Sequence, residues 1–205
     1  MFEMFEKYKI FFEKYISLNF IEWSLLKSKL QVVNYQKGDI ILRFGSVCPQ
    51  LFFINSGLAR GYLIDEQGKD YTWGLFFNDA NAQMHNIFVT DYDSFLHQQP
   101  SQIEIEALEE CELLSIDHRD LQYLYNKLKK GERFGRLMAE SAYSYLHRYI
   151  IDRQTKSASQ RFKEFVERNP HLLDKVPQYH IATFLGITPQ HLSRLKKEYK
   201  INKCE

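Results

Sequence analysis

Gln178-Tyr-His-Ile-Ala-Thr-Phe-Leu-Gly-Ile-Thr-Pro-Gln-His-Leu-Ser-Arg-Leu-Lys-Lys197 reads as two short helices joined by a tight turn. Ala182 stands four residues before Gly186, where two crossing helices leave room only for a small side chain. Gly186 supplies the backbone freedom of a sharp turn. Thr188 suits the cap of the second helix and Pro189 its first position. Leu192 and Leu195 are three apart and face inward with Ile181, Leu185 and Ile187. Thr188, Gln190, His191, Ser193, Arg194 and Lys197 are left on the open side. That is the pattern of a helix-turn-helix, which lays its second helix in a DNA major groove. An ordinary helical hairpin with a capped second helix is the competing reading. The joint placement of Ala, Gly and two Leu favours DNA binding.

Charge points the same way. The 205 residues carry a net charge of +1. From Arg153 to Glu205 there are 11 Lys/Arg against 5 Asp/Glu, a net of +6, and the rest of the chain is net −5. Only the C-terminal quarter is built to approach a polyanion. An apolar fraction of 44% suffices for a core, and no run reaches the roughly 20 apolar residues of a membrane span. The acidic and aromatic start, Met1-Phe-Glu-Met-Phe-Glu, is no signal-peptide pattern, so the expected location is cytoplasmic. Cys48, Cys111 and Cys204 are far apart, and the seven histidines are scattered. Neither a metal site nor a catalytic constellation is predicted, and an enzyme is not expected.

Three regions follow from periodicity. Residues 2 to about 30 read as helices, with Phe2, Phe5, Tyr8, Phe12, Tyr15 and Ile16 at helical spacing and a break near Ser17. From Gln31 to Asp117 short β-type runs alternate with turns: Ile40–Phe44, Gln50–Ser56, Leu58–Asp65, Asp70–Phe77, Ile103–Glu109 and Cys111–Ile116. Such spacing argues for a sandwich or jelly-roll. After a short helix from Arg119, broken at Gly131, a long helix is predicted from about Glu132 to Arg153. Phe134, Leu137, Met138, Ala142, Tyr145, Leu146, Tyr149 and Ile150 form its apolar face, which must pack on the β-domain or on a second copy. Another helix, about Ser157 to Arg168, leads into the helix-turn-helix. The expected class is α+β, with parts at 1–131, 132–153 and 154–205.

Over nearly its whole length the chain resembles the cyclic-AMP receptor protein and FNR-type (Crp/Fnr) transcription factors. The resemblance rests on Lys37-Gly-Asp39, Gly45, Phe53-Ile-Asn-Ser-Gly-Leu58, Ile103 to Ile116 and Thr188-Pro-Gln-His-Leu-Ser-Arg-Leu-Lys196. The last run looks closest to short Bacteroidetes-type members. The resemblance implies a β-roll sensor domain, a homodimer joined along the long helix at Phe134, Leu137, Met138, Ala142, Tyr145, Leu146 and Tyr149, and a C-terminal DNA-binding domain. It implies double-stranded DNA as a partner, with RNA polymerase as a further one.

Departures from the family pattern sharpen the expectation. Cyclic-nucleotide-binding members carry a Gly-Glu pair for the ribose and, about ten residues on, an Arg beside Ser or Thr for the phosphate. Here Thr90-Asp91 and Ser101-Gln102 stand in those places, and no Lys or Arg occurs from Asp70 to Ile116. A buried cyclic phosphate would lack a cationic partner. Cyclic AMP is therefore not expected as a ligand, and no cofactor is assigned. Asp91, Ser101 and Gln102 are kept as candidate effector-pocket residues, although Asp91 also reads as a plain turn residue. The short stretch from Asn169 to Pro177 leaves little room for the family's β-hairpin wing. Pro189 replaces a basic residue that many relatives carry at the start of the recognition helix. Gln190 and Arg194 hold positions that face base edges in relatives, with a phosphate contact as the alternative for Arg194. Lys196, Lys197 and Lys200 read as phosphate contacts or a solvated face. The function expected is a dimeric DNA-binding regulator; the alternative is a sensor or interaction module whose helix-turn-helix has lost DNA binding.

Overall fold

The computed structural model describes residues 2–201; Cys204 and the side chain of Lys200 lie outside the described residues. The chain opens with α1 (Phe2–Glu13) and α2 (Phe20–Lys27). Asn19 caps α2 reciprocally with Glu22: each backbone N–H donates to the other's side chain, at 2.8 and 2.9 Å. Tyr8, Phe11 and Phe12 of α1 pack inward, with the Tyr8 ring 4.9 Å edge-on from that of Phe53, while the Phe2 side chain lies outside the described residues.

Eight strands follow in two four-stranded sheets. They are β1 (Gln31–Tyr35), β2 (Ile40–Leu42), β3 (Gln50–Ser56), β4 (Leu58–Ile64), β5 (Asp70–Phe77), β6 (Phe88–Val89), β7 (Glu104–Ala107) and β8 (Cys111–Asp117). One sheet runs β1-β8-β3-β6, the other β2-β7-β4-β5, and all pairs are antiparallel. Apart from the β4–β5 hairpin, consecutive strands thus fall in different sheets, as in a jelly roll. In β7 the two-residue period is plain: Ile105 and Ala107 are buried while Glu104 and Glu106 face partly outward. Gly57 turns β3 into β4 at φ +99°, and any Cβ there would collide with the backbone of Glu110 and Cys111. The enclosed core includes Ile54, Val89, Phe95, Ile105 and Leu113.

Residues between β5 and β7 also form two short helices, α3 (Met84–Ile87) and α4 (Tyr92–His97). Beyond the sheets come α5 (His118–Lys127) and the long α6 (Lys129–Thr155). The expected break at Gly131 is corrected. The break sits at Leu128, whose backbone is extended (φ −122°, ψ 106°), and Gly131 lies inside α6. Glycine suits that position because α5 comes close: a Cβ would stand 3.2 Å from the Leu124 carbonyl oxygen, a tight contact. The long helix therefore starts three residues earlier than expected, and it ends two residues later.

The last helices are α7 (Ala158–Arg168), α8 (Leu172–Lys175), α9 (Gln178–Leu185) and α10 (Pro189–Ile201). Among the described residues no strand follows β8, and α8 lies between α7 and α9. A second apolar cluster joins Phe162, Phe165, Val166, Ile181, Leu185, Leu192 and Leu195 to Leu58, Leu75 and Phe77. The C-terminal helices are thereby packed against the β2-β7-β4-β5 sheet.

Candidate nucleic-acid interface and effector pocket

Local chemistry builds the turn between α9 and α10. Gly186 sits in the left-handed region at φ +67°, and its N–H donates to Thr183 O at 3.0 Å. Ile187 N–H donates to Ala182 O at 2.9 Å, and Thr188 Oγ1 accepts from His191 N–H at 3.2 Å. Ile181, Ala182 and Leu192 are wholly buried, and Leu195 nearly so. The opposite face is open: Thr188, Gln190, Ser193, Arg194 and Lys197 are exposed, while His191 and Lys196 are half-buried. Among the described residues no hydrogen bond or ion pair holds Gln190, Arg194 or Lys197, so these side chains are free to meet a ligand.

One feature escaped the sequence reading. Arg60 in β4 is buried, with 4% of its surface exposed. Its Nε lies 2.5 Å from Glu106 and its Nη2 2.6 Å from Asp70. Its guanidinium stacks 4.2 Å over the Tyr62 ring, and Nη1 lies 2.6 Å from His180 Nδ1 on α9. A guanidinium only donates, so His180 accepts here as the neutral ring. Burial, and then the Arg60 charge, hold the His180 pKa below its ordinary value. Two further contacts seat α9 on β5: Thr72 N–H donates to Thr183 Oγ1 at 3.1 Å, and Tyr179 OH donates to Asp70 O at 3.1 Å. The available signal was a lone Arg inside an apolar strand, in a chain segment rich in carboxylates.

A cavity of about 210 Å³ lies between β5, α3, the start of α4 and α6. Trp73, Leu75, Phe76, Met84 and Phe88 make its apolar wall, and Thr90, Asp91, Ser141 and Tyr145 add polar groups. No Lys or Arg lines it, and Asp91 and Asp93 do. Asp91 caps α4, accepting from Ser94 N–H at 3.3 Å, and its other oxygen accepts from Ser101 Oγ at 2.7 Å. Ser101 is buried behind Asp91, whereas Gln102 is exposed and does not line the cavity.

The apolar face of α6 is divided. Phe134 and Met138 are buried within the chain, and the Phe134 ring lies 4.1 Å from that of Phe12. Leu137 packs against the same core. Ala142 and Tyr145 face the cavity, with Tyr145 stacked 3.7 Å from His85, and Tyr149 meets Trp73 edge-on at 5.8 Å. Leu146 borders the cavity but is 37% exposed, and with Tyr143, Ile150 and Ile151 it forms the face left open to solvent. Cys48 and Cys111 are buried free thiols, both pushed up by burial, Cys111 to about 11. Among the described residues no cluster of His, Cys, Asp or Glu could hold a metal ion, and no helix is long and apolar enough to cross a membrane.

Residues 32–128 match the cyclic nucleotide-binding domain family. In structure the chain is similar to FixK2 from Bradyrhizobium japonicum, at 13% identity over 85% of this chain and 86% of that one, with a TM-score of 0.72. It is also similar to a protein of Eubacterium rectale assigned to the crp/fnr family of transcriptional regulators (18%, 90% and 85%, TM-score 0.65). A CooA variant from Carboxydothermus hydrogenoformans is a third (19%, 85% and 78%, TM-score 0.63). No curated protein matches the sequence. The 32–128 segment thus matches the cyclic nucleotide-binding domain family, and the chain that carries it has the β-roll, long-helix and C-terminal-helix fold seen in Crp/Fnr structures.

Proposed function

We propose that this protein is a dimeric, sequence-specific DNA-binding regulator of the Crp/Fnr type, not an enzyme, whose β-roll senses something other than cyclic AMP. The observation that carries the reading is the open face of α10. Gln190, Arg194 and Lys197 are exposed and unpaired on a helix held by a glycine turn, within a segment of net charge +6. Arg194 reads a guanine edge and Lys197 a phosphate. Arg194→Ala should then cost roughly 1–3 kcal/mol and relax preference at one base pair per half-site. Lys197→Ala should weaken binding to all sequences alike and lower the salt slope by about one charge. Binding-site selection with wild type and both variants decides. If Arg194→Ala leaves the selected motif intact and Lys197→Ala changes it, the roles are reversed. If no duplex is enriched at all, the DNA-binding reading fails.

Tyr143, Leu146 and Ile150 follow one another at intervals of three and four on α6, the spacing of a two-helix seam. This open face supports dimerisation along α6, with Leu146 the residue of the expected set that remains most accessible. Ile150→Glu should yield monomers in sedimentation while leaving the fold intact. A wild-type monomer at micromolar concentration would remove the dimer from the proposal.

The cavity at Asp91 supports an effector that is apolar and carries no phosphate, because a cyclic phosphate would meet carboxylates and no cation there. A ligand at 100 times its dissociation constant adds about 2.7 kcal/mol of stability. Neither cyclic AMP nor cyclic GMP should raise the melting temperature in a saturable way.

A further inference from the structure

A second concavity, of about 490 Å³, lies where α6, α7, the end of α9 and the α3–β5 edge meet. Its volume is that of an ordinary small-molecule site. Five cations line it, Arg148, Arg153, Lys156, Arg161 and Arg168, against two carboxylates, Asp152 and Glu164. Both carboxylates are already engaged by one ammonium: Lys156 Nζ lies 2.9 Å from Asp152 and 2.7 Å from Glu164. Arg161 spends its donors on neutral acceptors, the backbone oxygens of Lys156 and Leu185. Arg153 lies over the Tyr149 ring, 5.3 Å from its centre. Arg148 and Arg168 are exposed and have no hydrogen bond or ion pair among the described residues. The concavity therefore carries three positive charges more than negative ones, on walls drawn from both the β-roll and the C-terminal helices.

From this geometry we infer that the concavity binds a small phosphorylated molecule with at least two negative charges, and that this ligand bridges the sensor and DNA-binding halves of the chain. Guanidinium groups meet phosphate oxygens in paired hydrogen bonds, and Arg148 and Arg168 approach from different helices, α6 and α7. His85 stands in the same wall. Burial, then the charges of Arg148 and Arg168, hold it down to about 4, so it offers a neutral ring at physiological pH. The exposed face of α10 does not line this concavity, and the β-roll closes one side of it. A duplex backbone passing along α10 would not enter a cleft walled on one side by the β-roll, which favours a small molecule. The site adjoins the Asp91 cavity, with Leu75, His85 and Tyr145 as the common wall, and the inference does not depend on DNA recognition by α10.

The test is calorimetry on the full chain at constant ionic strength, with pyrophosphate and tripolyphosphate as probes and sulfate as the control. Saturable binding of one probe per chain is expected, tighter for tripolyphosphate. Arg148→Gln combined with Arg168→Gln should weaken it roughly ten-fold or more, with each single variant in between, and Lys197→Gln should leave it unchanged. The proposal is overturned if neither polyphosphate saturates, or if the double variant binds as well as wild type. It is likewise overturned if polyphosphate does not bind and the double variant instead loses affinity for generic duplex DNA, which would make the cleft a DNA-backbone contact. Failure of α10 to select a sequence, with polyphosphate binding retained, would sink only the DNA-binding reading.

Discussion

Phe134→Ala should destabilise the protein by about 3–5 kcal/mol, the usual cost of removing a fully packed aromatic ring. Phe134 is 4% exposed and is surrounded by aromatic partners. The Phe12 ring centre is 4.1 Å away, and those of Tyr15, Phe88 and Phe11 lie between 6.2 and 6.5 Å. These rings come from α1, the segment just after it, and β6, so the truncation leaves a cavity that three separate segments would have to collapse into. Partial relaxation adds a cavity term to the lost transfer energy. The measurement is a urea midpoint shift at unchanged slope. Ile150→Ala is the control on the same helix. Its 55% exposure is that of the single chain, so at a concentration where both proteins are monomeric it should change stability by no more than about 0.5 kcal/mol. Equal losses from the two variants would mean that the solvent face of α6, not its inner face, holds it in place.

That contrast shows where the sequence is legible and where it is not. The period of 3.6 residues marks Phe134, Met138, Tyr145 and Ile150 as one apolar band, but periodicity cannot say what covers each part of it. The β-roll takes Phe134 and Met138, the cavity takes Tyr145, and Ile150 is left to water. The helix-turn-helix was readable because its determinants are local: a left-handed Gly186, a capping Thr188, and leucines three apart on one helix. Most strands were readable from their turns. The stretch between β5 and β7 was not, because its helices are only 4 and 6 residues long and are held by tertiary contacts, such as Asn86 donating to Leu75 O. The same holds for the site. Asp91 and Ser101 are ten positions apart and do meet, at 2.7 Å, while neighbouring Gln102 is exposed and does not line the cavity. Gly131 was misread because a glycine that permits two helices to touch looks, in sequence, like one that ends a helix.

Arg60 is the least legible residue of all, since its partners Asp70, Glu106 and His180 come from three other elements. Arg60→Met should cost about 3–5 kcal/mol, because two carboxylates are then left in a largely dry site with no cation. Their side chains are only 22% and 20% exposed. The loss should depend on pH in a direction that a purely steric defect would not produce. In the wild type Arg60 helps keep His180 neutral, with a pKa below the ordinary 6.5. The unfolded chain binds that proton first as pH falls, so wild-type stability declines below about 6.5. In the variant the Arg60 charge is gone, while Asp70 and Glu106, which pull the His180 pKa upward, remain. Protonated His180 then becomes their replacement cation. Burial still lowers the His180 pKa, but without the Arg60 charge it lies higher than in the wild type, so the variant loses less stability as pH falls. The stability gap between wild type and Arg60→Met should therefore narrow between about pH 7.5 and about pH 5.5. Urea midpoints at the two values measure it, and the gap between His180→Ala and Arg60→Met/His180→Ala, with the histidine absent from both, is expected to show no narrowing. A gap that stays constant or widens on acidification would uncouple His180 from the Arg60 cluster. The polar contacts that seat α9 on the sheet would then be those of Thr72, Thr183 and Tyr179, beside the apolar packing of Ile181 and Leu185.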